Sequence, residues 1–239
     1  MKALINFSGG IDSAYLLYWA LTNVDHEVHV HHVDFIDISG RFRAERKACE
    51  DIRQWLKDQG LEPASWTTNS LSLGDNPGHM FDYVLMAPLT IATAMNIPGI
   101  TRIWAGWAIE EEELTEMFGF NDGSWNQDYI DNVWHNGCGA CLKGKPFKGR
   151  ETPIYEGPVT ARKVETIAKM PPELLEITWS CHFPDMEILP GETEVHCIPC
   201  ERCSSCLLRA GKSAEEVFDI LVESLNSDRD VMGSSLARL

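Results

Sequence analysis

Over residues 1–110 the apolar positions switch repeatedly between short runs and helical stripes. Ala3-Leu4-Ile5-Asn6-Phe7 reads as a short buried strand, after which Ile11, Tyr15, Leu16 and Tyr18 or Trp19 recur at helical spacing. "EVHVHHVDF" (27–35) sets β-branched residues in near alternation and predicts a second strand. "RFRAERKACEDIRQWLKDQG" (41–60) predicts an amphipathic helix, with Ala44, Ala48, Ile52, Trp55 and Leu56 on one side and Gly60 as its stop. Residues 63–69 read as a third strand, 81–96 as an apolar helix and 101–109 as a fourth strand. This alternation predicts an α/β fold, a doubly wound parallel sheet with helices on both faces.

Beyond residue 110 the rhythm stops. Acidic, aromatic, glycine and cysteine residues mix with little periodicity as far as Pro153. "TARKVETIAKM" (160–170) predicts a helix capped by Thr160, "LLEITWSC" (174–181) a returning strand, and residues 213–225 a closing helix. The expected organisation is a core over 1–110, an inserted loop-rich lobe over 111–159, and completion of the core over 160–239. No internal repeat or low-complexity tract interrupts it.

The 239 residues carry a formal net charge of −16, a field that repels nucleic acid at long range. No direct nucleic-acid partner is therefore expected. The apolar run 83–100 approaches membrane-span length but contains Pro88, Asn96 and Pro98, so a buried helix is expected and no membrane association. "MKALINFSGG" lacks the long apolar stretch of a secretory signal, which makes a cytoplasmic protein the expectation.

Between the first strand and its helix stands "SGGIDS", Ser8 to Ser13. Adjacent glycines let another molecule approach the main chain, and a turn into a helix N-terminus collects free N–H groups at the positive end of the dipole. That is a site for an anion, phosphate above all. The spacing does not match G-x-G-x-x-G, and "GACLKGK" (139–145) fits a Walker loop only until Pro146, where a hydroxyl is needed. "SGGIDS" resembles the S-G-G-x-D-S loop of the PP-loop ATP pyrophosphatase superfamily. The resemblance implies an adenine nucleotide α-hydrolase-like fold and a grip on the pyrophosphate of ATP. Cofactor-binding residues would then be Ser8, Gly9, Gly10, Ile11, Asp12 and Ser13, with Asp12 holding Mg2+ or ordering the loop. Ser8, Asp12, Ser13 and Lys163 are the candidate catalytic residues, Lys163 because "TARK" matches a family position near ATP.

Cys197, Cys200, Cys203 and Cys206 form a C-x-x-C-x-x-C-x-x-C run, with Cys181 upstream. Four thiolates spanned by short loops make a closed tetrahedral zinc site, and such runs also serve iron–sulfur clusters. Five cysteines compete for four places. "TWSC" followed by the run and "LLR" resembles the C-terminal zinc segment of the 7-cyano-7-deazaguanine synthase family. Alignment on "SCLLR" implies Cys181, Cys200, Cys203 and Cys206 as ligands of Zn2+, with Cys197 able to replace Cys200. Cys138 and Cys141, with His135, form half of a second metal site or a reduced loop pair. His29 and His31 share one face of the second strand, where they line a pocket or serve the structure.

The resemblance implies an ATP-dependent ligase or synthase that adenylates a carboxylate, releasing pyrophosphate and then AMP. With 7-carboxy-7-deazaguanine and ammonia it would form the amide and then the nitrile. At the start of the apolar helix, however, that family carries a P-x-R-N type motif that contacts the deazapurine, where this chain has "VLMAPLT". A ligase joining the activated acid to another amine, on a protein for instance, is the alternative. A zinc-stabilised nucleotide-binding module without catalysis is a third reading. Trp107, Phe118, Phe120 and Trp125 are candidates to stack on a heterocycle, and Glu110 to Glu113 reads as a solvated helix start. Oligomeric state is open, a homodimer included.

Overall fold

The computed structural model describes residues 1–74, 82–117, 135–137, 151, 153–188 and 195–224. Its first half runs β1 (Lys2–Phe7), α1 (Ile11–Asn23), β2 (Glu27–Asp37), α2 (Arg41–Asp58), β3 (Ser65–Gly74), α3 (Asp82–Asn96) and β4 (Ile100–Ala105). There follow β5 (Trp107–Ala108), α4 (Ile109–Met117), β6 (Ile154–Glu156), β7 (Thr160–Ala161), α5 (Lys163–Lys169) and α6 (Pro172–Glu176). The chain then makes β8 (Asp185–Ile188), β9 (Val195–Ile198), α7 (Ser204–Arg209) and a last helix, α8, over 214–224.

Five strands form one parallel sheet in the order β3-β2-β1-β4-β6. β1 is its central strand, and Ala3 to Phe7 are buried on both faces, which is why the run reads as continuously apolar. Ala3, Ile5 and Phe7 pack with Leu16, Leu17, Ile52 and Leu56 of α1 and α2. Leu4 packs on the opposite face with Ile91 and Ala94 of α3 and Ile103 of β4. The sheet is therefore doubly wound, and both windings are legible in the period of the helices that cover it.

β2 buries three polar rings inside this sandwich, each with partners. His29 Nδ1 lies 2.7 Å from the Ser65 hydroxyl and His31 Nδ1 3.0 Å from that of Thr67, with Thr93 of α3 3.4 Å from His31 Nε2. Both histidines thus bond to β3, and His31 to α3 as well. Burial, and then the charge of neighbouring His32, lowers the pKa of His31 to about 4 against the opposing hydrogen bond to Thr67.

Three elements depart from the pattern-based reading, while the apolar helix expected over 81–96 forms as α3. The strand over 101–109 stops at Ala105 and resumes for two residues as β5, because Gly106 lies against the first turn of α1. A Cβ at Gly106 would stand 2.5 Å from the Asp12 carbonyl carbon and oxygen and 2.8 Å from Ser13 N. The strand expected over 174–181 is absent: Pro171 and Pro172 start the short helix α6, and the backbone of 178–181 bonds to other partners than a sheet neighbour. Thr160 does not cap α5, since it pairs with Trp107 in the β5–β7 ladder, and the helix begins at Lys163. α3 begins at Asp82 and carries Pro88 inside it. Among the described residues, no helix is long and apolar enough to cross a membrane.

Replacing Gly106 by Ala should push α1 off the end of β4. The expected loss is about 2 kcal/mol of unfolding free energy, read from the urea midpoint at unchanged m-value. His31 should make the protein acid-labile. A base whose folded pKa is depressed withdraws stability as pH falls from its unfolded value of about 6.5 towards 4, on the order of 3 kcal/mol in all. His31→Gln should flatten that slope when denaturant midpoints are compared at pH 7 and pH 4.5.

Candidate functional site

β1 ends at Phe7, and Ser8, Gly9 and Gly10 turn the chain into α1 where the strand order reverses, β2 on one side of β1 and β4 on the other. Ligands of open α/β sheets sit in the crevice at such a reversal. Gly9 holds φ at +79°, and a Cβ there would meet the Glu45 carbonyl at 3.1 Å, Cys49 Sγ at 3.2 Å and Ala48 Cβ at 3.3 Å. The turn is thus seated directly on α2, and only glycine fits it.

The serines of the loop bond to one another. Ser8 Oγ accepts the Gly10 N–H at 3.3 Å and stands 3.1 Å from Ser13 Oγ. The Ser13 hydroxyl donates to the Gly10 carbonyl at 3.1 Å and accepts the Ser8 N–H at 3.3 Å. These lengths lie at or beyond the usual range, so an anion can take over the donors at little cost. Gly10, the N-cap of α1, has no side chain with which to satisfy the first helical N–H groups. Ile11, fully buried, anchors that first turn in the core.

Two carboxylates and one ammonium close the side of the loop towards α5. Asp12 Oδ2 accepts the ammonium of Lys163, whose side chain is buried. The backbone N–H of Lys163 donates to both carboxylate oxygens of Glu110 at 3.0 Å each. Glu110, expected in a solvated helix start, is therefore turned inward as the cap that α5 lacks in its own sequence, while Glu113 pairs with Arg162. No local signal could have revealed that role, because its partner lies 53 positions away.

The third wall is the segment 178–181. The Trp179 N–H donates to the Gly9 carbonyl at 2.9 Å, and Trp179 Nε1 to the Cys181 carbonyl at 3.0 Å. Arg209 holds the segment from behind. Its Nη1 donates to the Thr178 carbonyl at 2.8 Å and hydroxyl at 3.0 Å, and its Nη2 to the Leu175 carbonyl at 2.8 Å. Trp179 and Arg209 stand beside the cysteines in sequence, yet their part in supporting the loop is visible only in three dimensions.

The Sγ atoms of Cys181, Cys200, Cys203 and Cys206 all lie within 4.8 Å of one another. The Cys200 N–H donates to Cys181 Sγ at 3.3 Å. Cys197 is not part of the group: its thiol donates to the Gly40 carbonyl at 3.6 Å, beside the start of α2. Burial pushes the Cys181 thiol up to about 11 and raises Cys206 as well. A cation at the centre would reverse this and draw the protons off, so the donor set, all sulfur and mostly buried, suits a thiophilic metal ion. Cys138 and Cys141, the sequence 139–145, Phe118, Phe120 and Trp125 lie outside the described residues. His135 is exposed in a helical turn at 135–137.

No protein-family profile and no curated protein matches the chain. Among solved structures it is similar to the U34-tRNA thiolase NcsA from Methanococcus maripaludis, solved with its [4Fe-4S] cluster. The identity is 14% and the TM-score 0.48, over 94% of this chain and 66% of that one. The chain thus spans just under two thirds of that protein's length. A likeness at that level decides nothing about chemistry, and the site is read from its own residues.

Arg209→Met should remove three hydrogen bonds and leave the Thr178 carbonyl without its guanidinium donor, while the Leu175 carbonyl keeps the Thr178 N–H and hydroxyl. We expect a loss of about 3 kcal/mol in unfolding free energy, measured by denaturant titration.

Proposed function

We propose that the chain is an ATP-dependent enzyme of the PP-loop ATP pyrophosphatase type, which activates a carboxylate by adenylation. The observation that carries this reading is the Ser8–Ser13 loop at the strand-order reversal, with its hydroxyls and N–H groups held by bonds long enough to exchange for phosphate oxygens. Ser8, Gly9, Gly10 and Ser13 would bind the pyrophosphate portion of ATP. Lys163 neutralises Asp12 in the structure as it stands, and its ammonium lies at the first turn of α1, where the phosphates would arrive. Asp12 keeps Oδ1 for Mg2+, which would offset the charge of the departing pyrophosphate.

The substrate favoured is 7-carboxy-7-deazaguanine with ammonia. A carboxylate oxygen attacks the α-phosphate, pyrophosphate leaves, and ammonia displaces AMP from the acyl-adenylate to give the amide. A second ATP adenylates the amide oxygen, and loss of AMP and a proton leaves the nitrile. The pairing of the glycine loop with the cysteine segment, joined by the Trp179–Gly9 bond, supports this choice among PP-loop chemistries. A second reading keeps the adenylation and changes the amine, to one carried by another molecule such as a protein. It is favoured by "VLMAPLT" in α3, where Met86 and Thr90 meet Asn6 and no Arg or Asn side chain is offered.

Zn2+ is the ion proposed for the cysteines. In a [4Fe-4S] centre each thiolate binds a different iron corner, which spreads the sulfurs more than four thiolates at about 2.3 Å from a single ion. The 4.8 Å limit on every sulfur pair supports a single ion.

Mass spectrometry after incubation with Mg-ATP, 7-carboxy-7-deazaguanine and ammonium tests the reading. AMP and the 7-cyano product are expected, with AMP formation about 100-fold slower in Ser13→Ala. AMP without nitrile would select the second reading, and no AMP with any carboxylate would overturn both. Purified protein should contain one zinc per chain and no visible iron–sulfur absorbance.

A further inference from the structure

A second set of charges lies beneath the glycine loop, on the α2 side of the sheet. His32 of β2 is buried, with Nδ1 2.8 Å from the Phe7 carbonyl and Nε2 3.0 Å from Asp34 Oδ1. Asp34 also accepts Arg46 through Nη2 at 2.6 Å and Nε at 3.2 Å, and the Ser70 hydroxyl at 3.1 Å. A carboxylate that accepts a guanidinium and a hydroxyl on one oxygen is ionised, and a backbone carbonyl can only accept. Both ring nitrogens of His32 therefore face acceptors, and a neutral imidazole would set its lone pair against one of them.

We propose that His32 is a permanent imidazolium whose charge, passed through the Phe7 carbonyl, raises the affinity of the glycine loop for phosphate, making His32 a positioning residue for the nucleotide. The inference rests on the reading of that loop as an ATP site. The Phe7 carbonyl belongs to the same peptide unit as the Ser8 N–H, so a cation on the carbonyl polarises the unit and strengthens that donor. The ring's other neighbour, Cys49, lies under Gly9, where a Cβ would come within 3.2 Å of its sulfur. The cation thus sits one layer below the turn, in a site from which water is excluded.

The surroundings agree. Burial opposes the charge on His32, but Asp34, Cys49 and the Phe7 carbonyl outweigh it and raise its pKa to about 11. Burial likewise opposes the charge on Asp34, and His32 and Arg46 bring it down to about 2. The groups facing the ring are Asp34 and His31 from β2, Cys49 from α2 with Glu45 and Arg46 close by, and the Phe7 carbonyl from β1. His31 is held neutral beside it. A charge change at His32 reaches the loop through the Phe7–Ser8 peptide and the field.

The test combines ring NMR with nucleotide binding on the intact chain. In wild type, 15N spectra should show both His32 nitrogens protonated at pH 8.5, and Mg-ATP should bind with little pH dependence from this ring. His32→Gln, checked for a native spectrum, should bind Mg-ATP about tenfold more weakly at pH 8. Asp34→Asn keeps the ring and removes its anion, so Mg-ATP affinity should become pH-dependent between pH 6 and 9 as the ring loses its proton. It should match wild type at the acid end, which a merely structural role would not produce. A singly protonated ring in wild type, or pH-independent binding in folded Asp34→Asn, would overturn the inference and leave the loop reading intact. Failure of wild type to bind Mg-ATP would overturn both.

Discussion

The hydrogen bond from the Trp179 N–H to the Gly9 carbonyl joins two parts of the chain that neither could hold alone. A glycine turn with a positive φ is entropically expensive to order, and its own serine bonds are long. It is fixed by what surrounds it: α2 beneath, the Asp12 backbone against Gly106 on one flank, and the 178–181 segment on the other. That segment ends in Cys181, whose sulfur belongs to the four-thiol group, and is clamped by Arg209, three residues beyond Cys206. A metal ion closing the thiol group would therefore also shape the turn. The cysteine segment is a support for the loop, built from residues that follow it by more than 160 positions.

Two buried cations among the described residues are met in the same way, each by a carboxylate on one side and through a backbone group on the other. Lys163 meets Asp12, while its own N–H meets Glu110. His32 meets Asp34, while its other nitrogen meets the Phe7 carbonyl. Unpaired, any of these would cost several kcal/mol of desolvation. Paired across the sheet, they tie α1 to α5 and β1 to β2 at the two sides of a single turn. The same pairs that offset their own burial hold the loop in register.

The sheet and its windings were legible from the sequence because strands buried on both faces read as apolar runs and helices as 3.6-residue stripes. Ala3 to Phe7, Ile52 and Leu56 fall where the pattern places them. The loop was legible for the same reason, since Gly9 stands where only glycine fits. What the pattern could not carry were contacts between distant segments. "LLEITWSC" has strand composition, yet its backbone bonds to Gly9 and Arg209, and the prolines before it had already started a helix. Glu110 sits in a run of four acids that looks solvated, and only the bare N-terminus of α5 turns it inward. The choice among five cysteines turned on Cys197, whose strand β9 faces Gly40 rather than the other sulfurs.

A strongly acidic chain and the anion-binding role proposed for the loop are compatible only if the positive field is local. A net charge of −16 screens out polyanions at a distance, but solvent ions attenuate that field beyond about 10 Å at ordinary ionic strength. Within that range the loop is met by the helix dipole of α1, with Lys163, paired to Asp12, beside it and His32, paired to Asp34, beneath it. A small anion entering the crevice feels these groups and little of the surface. Under the reading proposed for the loop, such a distribution would favour a compact, magnesium-neutralised phosphate over an extended polyanion.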